Sequence, residues 1–346
     1  MSGNSHGNSR SARERREVRV AVLIPCYNEA AAIGRVVRDF KRAVPDAEVY
    51  VYDNNSVDAT ASVAAVAGAV VRKETLQGKG NVVRRMFADI YADVYVMVDG
   101  DGTYDAASCA AMVDLLLDDK LDMVVGCRIS NEREAYRSGH RFGNALLTGF
   151  VAKLFGSRFT DILSGYRAFS SRFVKSFPGL AAGFEVEAEL TVHALELRMP
   201  VSEIATPYGA RSEGSVSKLK TYRDGWKILL LITWLYKNER PLQFFSAIGG
   251  VLAIASVALA IPIVETYVTT GLVPRLPTAV LSTGIMLLAF LSFASGLILD
   301  TVTRGRKEVK RLIYLSLRPP GRHDGHVSPQ QAAFDDFVSK RTVQEQ

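Results

Sequence analysis

Short apolar segments alternate with longer amphipathic segments along the first part of the chain. The apolar segments, rich in β-branched and aromatic residues, are VRVAVLIP (18–25), VYVYD (49–53), AVVR (69–72), VYVMVD (94–99) and DMVVGCR (122–128). The segments between them have a helical pattern and cover residues 30–44, 58–67, 79–92 and 106–119. Strands that alternate with helices are typical of βαβ units. The pattern therefore predicts an α/β domain whose mostly parallel sheet is covered by helices on both faces.

The pattern changes towards the end of this domain and again after Gly214. Residues 139–200 are predicted to be mainly helical, and VSEIATPY (201–208) is predicted to form a further strand. Residues 219–238 combine a dense apolar run with two tryptophans and two tyrosines, which suits a helix lying at a membrane interface. The predicted units are a basic arm (1–17), an α/β domain (18–218), an interfacial helix (219–240), a two-helix hairpin (241–300) and a basic segment with a polar, mobile tail (301–346).

Two long apolar runs follow the interfacial helix, at about residues 242–264 and 276–299. Each is uncharged and long enough to cross ~30 Å of hydrocarbon, whereas buried helices of a soluble protein would rarely stay uncharged over such a length. Basic residues precede the first run and follow the second, and only Arg275 lies between them. The positive-inside rule then predicts an integral protein of the cytoplasmic membrane, with the α/β domain and both termini in the cytosol.

Composition adds limits to this picture. A chain of 346 residues has room for one domain of about 200 residues and further elements. Cys26, Cys109 and Cys127 lie far apart without metal-type spacing, so we expect free thiols in a reduced compartment. Residues 1–17 lack the apolar core of a secretory signal, which predicts a disordered cytosolic arm. The net charge of +6 is moderate, and no nucleic-acid partner is expected.

Acidic residues crowd the end of one predicted strand, in VMVDGDGTYD (96–105). Ligands of an open parallel sheet bind at the carboxyl ends of its strands, and Asp53 ends another strand just as Asp99 does. Asp99 and Asp101, as an Asp-x-Asp pair on a turn, can bind a hard cation such as Mg²⁺ or Mn²⁺. The alternative is a plain turn with helix-capping acids.

Two of the acids have competing explanations. Asp53, in DNNSVD (53–58), can accept a hydrogen bond from a nucleobase, although Ser56 or Asp58 as a simple helix N-cap explains the segment equally well. Asp105 is predicted to be the N-cap of a helix that begins at Ala106.

Two further segments suit a nucleotide-sugar site. IPCYNE (24–29) follows the first strand and can present backbone amides, Tyr27 and Glu29 to a base and ribose. QGKGN (77–81) precedes a helix and can offer amides and Lys79 to a diphosphate. It lacks the spacing and the Ser or Thr of a P-loop.

Taken in order, these segments resemble the motifs of family 2 glycosyltransferases with a GT-A fold. The matching segments are IPCYNE, DNNSVDAT, QGKGN, VDGDGTYD, GCR, TDILSGYRAF and RSEGSVSK. The resemblance covers roughly residues 18–218 and is to the branch that includes dolichyl- and polyprenyl-phosphate sugar synthases. The predicted hairpin is similar to that of the bacterial and archaeal two-span members. The resemblance implies a Rossmann-like GT-A domain and a Mg²⁺ or Mn²⁺ cofactor.

The resemblance also assigns residues to the donor side of the site. It implies that Asp99 and Asp101 bind the metal and act in catalysis. Thr103 stands where the family often has Gln or a similar polar residue, so direct metal contact from Thr103 is not expected. The nucleotide-sugar pocket would include Asp99 together with Pro25, Tyr27, Glu29, Asp53, Asn55 and Lys79.

On the acceptor side, the resemblance implies that Arg128 and either Arg137 or Arg141 hold a lipid phosphate. TDILSGYRAF would close this side, with Asp161 and Arg128 acting in catalysis and Arg167 binding phosphate. The alternative is a helix-surface salt bridge between Asp161 and Arg167.

The stretch RSEGSVSK (211–218) suits a mobile loop that clamps phosphates beside the membrane, and its alternative is an ordinary solvated linker. The residues concerned are Arg211, Ser215, Ser217 and Lys218. In FEVEAEL, Glu185 and Glu189 share a helical face, and we expect Glu185 to reach the site. His193 is expected to be a helix-surface or core histidine.

The implied reaction is inverting transfer of a hexose from a nucleotide-sugar to a membrane polyprenyl phosphate, for glycan assembly. A phosphate monoester has a second pKa of about 6, so it needs no strong base as a nucleophile. The donor remains open: the resemblance favours a UDP-hexose such as UDP-glucose, with GDP-mannose next. Some members of this family are homo-oligomers. The oligomeric state of this chain remains open.

Rival functions fit the sequence less well. A processive polysaccharide synthase would carry a Gln-x-x-Arg-Trp motif, and a dehydrogenase would carry G-x-G-x-x-G after its first strand; neither occurs. A non-catalytic membrane scaffold that binds nucleotide-sugars remains an alternative, although the intact motifs argue against it.

Overall fold

The computed structural model of the protein describes residues 18–129, 148–152, 159–183, 185–209 and 221–321, with residues 221–229 described by their backbone only. The strands are β1 (Val20–Cys26), β2 (Glu48–Asp53), β3 (Val70–Lys73), β4 (Val94–Met97), β5 (Met123–Ile129), β6 (Arg167–Ser170) and β7 (Val201–Pro207). The helices are α1 (Ala30–Ala43), α2 (Thr60–Val66), α3 (Lys79–Asp89), α4 (Ser108–Asp118), α5 (Ser171–Ser176), α6 (Val186–Glu196), α7 (Thr221–Glu239), α8 (Pro241–Thr270) and α9 (Leu276–Ser316).

The described strands form one sheet in the order β3-β2-β1-β4-β6-β5-β7. Strand β1 pairs in parallel with both β2 and β4, and β5 pairs in parallel with β7. The chain runs outward from β1 to β3 and then returns to β4 on the other side of β1. This reversal creates a crevice beyond the carboxyl ends of β1 and β4, where an open α/β sheet binds its ligands. The predicted mostly parallel α/β fold is confirmed.

Strand β6 was not predicted, because residues 139–200 were expected to be mainly helical. It lies antiparallel between β4 and β5, and all four of its residues are buried. A four-residue strand carries too little periodicity to be recognised locally. It forms because both neighbouring strands offer it backbone hydrogen bonds and buried faces.

The sheet is covered on both faces, as its apolar strands require. Successive residues of β1 enter different cores: Leu23 packs with Met86 of α3, whereas Ile24 packs with Phe40 of α1. Leu235 of α7 is buried in the first of these cores. The C-terminal helices are thereby joined to the α/β domain by apolar contacts.

Helices α8 and α9 are each long and apolar enough to cross a membrane, and their apolar segments are mostly exposed. Their central contact is a pair of reciprocal hydrogen bonds: the Ser256 hydroxyl donates to the Ser282 carbonyl at 2.8 Å, and the Ser282 hydroxyl donates to the Ser256 carbonyl at 3.0 Å. Small polar residues of this kind hold apolar helices together where the hydrophobic effect cannot. Length and composition therefore agree with the predicted hairpin.

Helix α9 extends beyond the predicted apolar span and reaches the α/β domain. Near its end, the Lys310 Nζ lies 2.7 Å from Glu196, and the Tyr314 hydroxyl donates to Asp122 at 2.8 Å. All three cysteines are unpaired, and Cys26 and Cys109 are buried, which agrees with the expected structural thiols.

Candidate functional site

Carboxylates lie at the carboxyl ends of two strands that flank β1. Asp53 is the last residue of β2, and Asp99 follows β4 by two residues. The side chain of Asp99 is 31% exposed, whereas Asp101 is buried. The backbone N–H and hydroxyl of Thr103 donate to the same Asp101 oxygen at 3.2 and 2.7 Å. Thr103 thus orients Asp101.

Lys79 lies between two carboxylates. Its Nζ is 2.5 Å from an oxygen of Asp99 and 2.5 Å from an oxygen of Glu187. Burial lowers the pKa of Lys79, but the two negative charges outweigh burial and hold the pKa above its ordinary value. Burial raises the pKa of Glu187, and the charge of Lys79 opposes this. An ammonium ion is therefore held firmly at the cleft.

Glu187 is a site residue that sequence reasoning missed. The expectation was that Glu185 reaches the site, but Glu185 is exposed just before α6. Glu189 instead accepts hydrogen bonds from the backbone of Leu180 and Ala181, at 2.9 and 2.8 Å. The spacing of the acids in FEVEAEL indicates that they cannot all face the cleft. Which of them does so depends on the rotation of α6 about its axis, and packing against distant residues sets that rotation.

The prediction that Asp105 is a helix N-cap is only partly right, because the N-cap position of α4 is Ala107. Its carboxylate accepts from the backbone N–H of Ala107 at 3.2 Å and of Ser108 at 3.1 Å. Helix α4 begins at Ser108 rather than at Ala106. Asp105 therefore stabilises the helix start and does not join Asp99 and Asp101 as an equal.

Asp53 is buried beside the opening of α2. One of its oxygens accepts from the Ser56 N–H at 3.3 Å, and the other, Oδ1, is buried without a hydrogen-bond partner among the described residues. Such an acceptor is costly unless a ligand donor satisfies it. Neither Ser56 nor Asp58 is the N-cap of α2, which is Ala59, although Asp58 accepts from the Thr60 N–H at 3.0 Å.

The segments beside Asp53 are tied together by Asn54, which sequence reasoning also missed. Its side chain donates to the Leu76 carbonyl at 2.8 Å and accepts from the Gly78 N–H at 2.7 Å. Asn55 has a left-handed backbone conformation, with a φ of 63°, and its side chain donates to the Thr75 carbonyl at 2.8 Å. Tyr27 is exposed on the facing loop.

The remaining predicted donor-side residues flank the same loop. Pro25 lies within β1 and is partly buried, and Glu29 immediately precedes α1. The backbone N–H of Glu29 donates to the Thr60 hydroxyl at 2.8 Å. These contacts place both residues at the end of β1, on the side of Asp53.

The glycines of QGKGN serve packing rather than phosphate binding. A Cβ at Gly78 would lie 2.2 Å from the Ala182 carbonyl oxygen, and one at Gly80 would lie 2.0 Å from that of Ala181. The N–H of Gly80 donates to the Ala182 carbonyl at 3.0 Å, and that of Asn81 does so at 3.4 Å. These N–H groups already have acceptors within the protein, so Lys79 is the clearest phosphate-binding group that the segment offers.

Arg128 and Asp161 form a bidentate ion pair. Arg128 Nε lies 2.6 Å from Asp161 Oδ2, and Arg128 Nη2 lies 2.7 Å from Oδ1. The guanidinium also lies 5.6 Å from the centre of the Tyr208 ring. The alternative salt bridge between Asp161 and Arg167 is not found, because Asp161 pairs with Arg128.

Arg167 lies beneath the site and not in it. It is fully buried, and it donates to the Ser164 carbonyl at 2.9 Å, to the Thr191 hydroxyl at 2.8 Å and to the Ile162 carbonyl. Burial lowers the pKa of this guanidinium. The predicted phosphate contact is corrected to a structural role, since β6 is an inner strand and turns this side chain into the core.

The loop before β6 touches the donor side directly. A Cβ at Gly165 would lie 2.4 Å from Asp99 Oδ2, and the Gly165 N–H donates to the Tyr104 hydroxyl at 2.9 Å. This close approach brings Asp161 and Asp99 to one cleft. Five predicted phosphate-binding residues lie outside the described residues: Arg137, Arg141, Arg211, Ser217 and Lys218.

His193 belongs to the core, as expected. It is buried, and its Nε2 lies 3.1 Å from the Ser176 hydroxyl. Burial lowers the pKa of His193 to about 3, with the nearby charge of Lys310 adding to the effect. The imidazole is therefore neutral and takes no part in the cleft.

The donor set of the cleft fits a hard divalent cation that also binds a ligand. Asp99 and Asp101 supply carboxylate oxygens, which suit Mg²⁺ and Mn²⁺. Among the described residues, no group of three or more His, Cys, Asp or Glu side chains is arranged to hold a metal ion. Two carboxylates suffice when water and phosphate oxygens complete the shell.

The comparisons with known proteins agree with this geometry. Residues 21–177 match the family described as glycosyl transferase family 2. The glycosyltransferase AglJ of Haloferax volcanii is 33% identical over 298 residues, which are 85% of this chain and 98% of AglJ. A dolichyl-phosphate hexose transferase of the same organism is 28% identical over 221 residues, which are 64% of this chain and 95% of that protein.

Solved structures give the same fold. Glucosyl-3-phosphoglycerate synthase from Mycobacterium tuberculosis, crystallised with Mn²⁺, uridine diphosphate and phosphoglyceric acid, has a TM-score of 0.51 at 23% identity. The match covers 64% of this chain and 78% of the synthase chain. At this identity the likeness supports the GT-A fold alone.

Proposed function

Because the chain belongs to glycosyl transferase family 2, we propose that it transfers a hexose from a nucleotide-sugar to a membrane polyprenyl phosphate, with inversion at the anomeric carbon. The observation that carries the proposal is that one chain joins a strand-end cleft to two apolar helices of membrane length. An enzyme that couples a water-soluble donor to a lipid acceptor needs both parts. A dolichyl-phosphate hexose transferase among the relatives supports this acceptor class.

The donor would bind along the ends of β2 and β4. Asp53 Oδ1, buried and unpaired within the described residues, would accept a hydrogen bond from the nucleobase. Lys79 would face the diphosphate. A Mg²⁺ or Mn²⁺ ion held by Asp99 and Asp101 would stabilise the negative charge of the departing nucleoside diphosphate. The mycobacterial synthase, which shares the fold, was crystallised with Mn²⁺ and uridine diphosphate.

The acceptor phosphate would bind near Arg128. A guanidinium suits two phosphate oxygens at once, and Asp161 holds this one in place through two hydrogen bonds. The phosphate is already largely ionised at neutral pH, so alignment and charge stabilisation matter more than a general base. Arg137 or Arg141, together with Arg211, Ser217 and Lys218, remains proposed for the same phosphate.

The donor identity follows from the resemblance alone. We propose UDP-glucose or another UDP-hexose first and GDP-mannose second, since sugar choice rests on pocket shape. The cytosolic orientation proposed for the domain and both termini rests on the basic residues that flank the hairpin.

The test is to incubate membranes that contain the full chain with radiolabelled nucleotide-sugars and a polyprenyl phosphate, and to measure label in the lipid phase. At least one donor should give labelled lipid. Asp101→Asn should lower transfer by at least about 10²-fold, the usual loss when a charge-stabilising group is removed, with the melting temperature retained. Asp105→Asn is the matched control, because Asn also caps helices, and it should keep most of the activity.

Two results would contradict the proposal. Full activity of Asp101→Asn would show that the metal site proposed at Asp99 and Asp101 is not needed for transfer. Binding of a nucleotide-sugar without transfer to any lipid phosphate would favour the non-catalytic scaffold instead.

A further inference from the structure

The two carboxylates beside Lys79 differ in their surroundings. Glu187 is only 6% exposed and lies on the buried side of the ammonium group, whereas Asp99, at 31%, faces the cleft. Lys79 itself is 10% exposed. The ammonium therefore has one partner inside the protein and one partner at the surface where a ligand would bind.

The inner pair, Lys79 and Glu187, is fixed by the backbone around it. The start of α3 is bonded to the segment before α6 through the Gly80 N–H and the Ala182 carbonyl. A side chain at Gly80 would collide with this segment, so the two segments approach as closely as backbones can. The distance between Lys79 and Glu187 is thereby set by the scaffold rather than by the ligand.

Asp99 has a second task that competes with its contact to Lys79. In the proposed function it is a cation ligand, and a carboxylate that binds a cation has less negative charge to share with an ammonium group. Lysine has three N–H donors, so the donor that Asp99 releases can turn to phosphate oxygens. An inner anion is needed to keep the ammonium in place during this exchange.

We propose that Glu187 is a positioning residue of the donor site, which anchors Lys79 so that its ammonium group binds the diphosphate of the nucleotide-sugar. The inference rests on the proposed function, because that function supplies the diphosphate. The second oxygen of Glu187, Oε2, is buried and has no hydrogen-bond partner among the described residues. Glu187 can therefore accept from Lys79 through either oxygen, while the N–H that Asp99 releases turns to the phosphate. Preorganisation of this kind raises affinity without any new contact to the ligand.

The test compares a nucleoside diphosphate with its nucleoside. Full-length protein in detergent with Mn²⁺ is titrated with UDP, uridine, GDP and guanosine. The dissociation constant of each ligand is measured by isothermal titration calorimetry. Glu187→Gln should weaken binding of the better diphosphate by about tenfold, the equivalent of one charge-assisted hydrogen bond. Its nucleoside should bind as it does to the wild type. A purely structural defect would weaken both equally.

Glu189→Gln is the matched control. Glu189 is a buried acid of the same helix that bonds to the backbone of Leu180 and Ala181. Its loss should lower stability without changing the ratio of diphosphate to nucleoside affinity. After Lys79→Met, Glu187→Gln should have no further effect on that ratio. If Glu187→Gln does not fold, Glu187→Asp, which keeps the charge on a shorter side chain, should show a smaller loss confined to the diphosphate.

The outcomes separate this inference from the proposed function. An equal loss for diphosphate and nucleoside, or additive effects with Lys79→Met, would overturn the role of Glu187 alone. A loss confined to the diphosphate, in a protein that transfers no sugar to lipid phosphate, would support Glu187 and overturn the acceptor. Wild-type protein that binds neither UDP nor GDP would overturn both.

Discussion

An arginine pairs with an aspartate at both ends of strand β5. Asp122, just before the strand, accepts hydrogen bonds from Arg172 Nε at 2.6 Å and from Arg172 Nη2 at 2.8 Å. At the other end Arg128 pairs with Asp161 at almost the same distances, 2.6 and 2.7 Å. Both pairs are bidentate, so their geometry alone does not tell them apart.

The surroundings of the two ion pairs do distinguish them. The Asp122 side chain is 0% exposed, and it also accepts hydrogen bonds from Ser170 at 2.6 Å and from Tyr314 of α9 at 2.8 Å. The Arg128 and Asp161 side chains are 16% and 8% exposed and lie at the carboxyl edge of the sheet. The two arginines are equally exposed, at 16%, so the difference lies in the aspartates. A fully buried aspartate with further internal partners holds elements together, whereas a pair at the cleft edge can exchange partners with a ligand.

The largest expected effect is a loss of stability at the buried end of β5, where Asp122 pairs with Arg172. Asp122→Ala leaves the Arg172 guanidinium without its carboxylate and removes the acceptor of Tyr314, which together with Lys310 ties α9 to the domain. Loss of one partner of a buried ion pair costs about 3–5 kcal/mol, so the free energy of unfolding, measured by denaturant titration in detergent, should fall by that amount.

Tyr314→Phe is the control for this change. It removes a single hydrogen bond to Asp122 and should cost only about 1 kcal/mol, because Arg172 and Ser170 remain as donors. Equal losses for the two variants would show that the ion pair between Arg172 and Asp122 adds nothing to the stability.

A smaller effect, on activity rather than on stability, is expected at the open end of β5, where Arg128 lies at the cleft. Arg128→Lys keeps the charge but removes the planar fork that two phosphate oxygens need. The kcat/KM for polyprenyl phosphate should fall roughly tenfold to a hundredfold, which corresponds to about 1.5–3 kcal/mol of charged hydrogen bonding. The free energy of unfolding should change much less than in Asp122→Ala, and the KM for the nucleotide-sugar should be unchanged. An equal rise in both KM values would argue against an acceptor role.

The last effect concerns the dependence of stability on pH and a buried histidine of α6. His193 lies on α6, near the contact between Lys310 and Glu196, and its pKa of about 3 is below the ordinary 6.5 because of burial. Between these values the unfolded chain takes up a proton that the folded protein does not. Stability should therefore decline as pH falls below 6.5, by at most about 1.4 kcal/mol per pH unit from this group.

His193→Gln should remove this part of the decline. The measurement is the free energy of unfolding at pH 6.5, 5.5 and 4.5 for both proteins. Parallel curves for wild type and variant would show that His193 is not the group responsible.

The site was predictable where its residues follow strands. Asp53 and Asp99 sit at strand ends because apolar β-branched runs stop there, and such runs can be read locally. Glu187, Asn54 and the true role of Arg167 could not be found in this way. Each depends on which distant segment lies opposite, and that is known only once the sheet order and helix packing are set.

The sequence by itself determined the alternation of strands and helices, the acids at the strand ends and the two apolar helices, because these depend on periodicity and on hydrophobicity over short windows. The tertiary structure alone decided the partners. It placed β6 between β4 and β5, turned Arg167 into the core, brought Glu187 to Lys79 and carried α9 to Asp122. Charged side chains take their roles from burial and from the charges that face them, and both come from residues far away in the sequence.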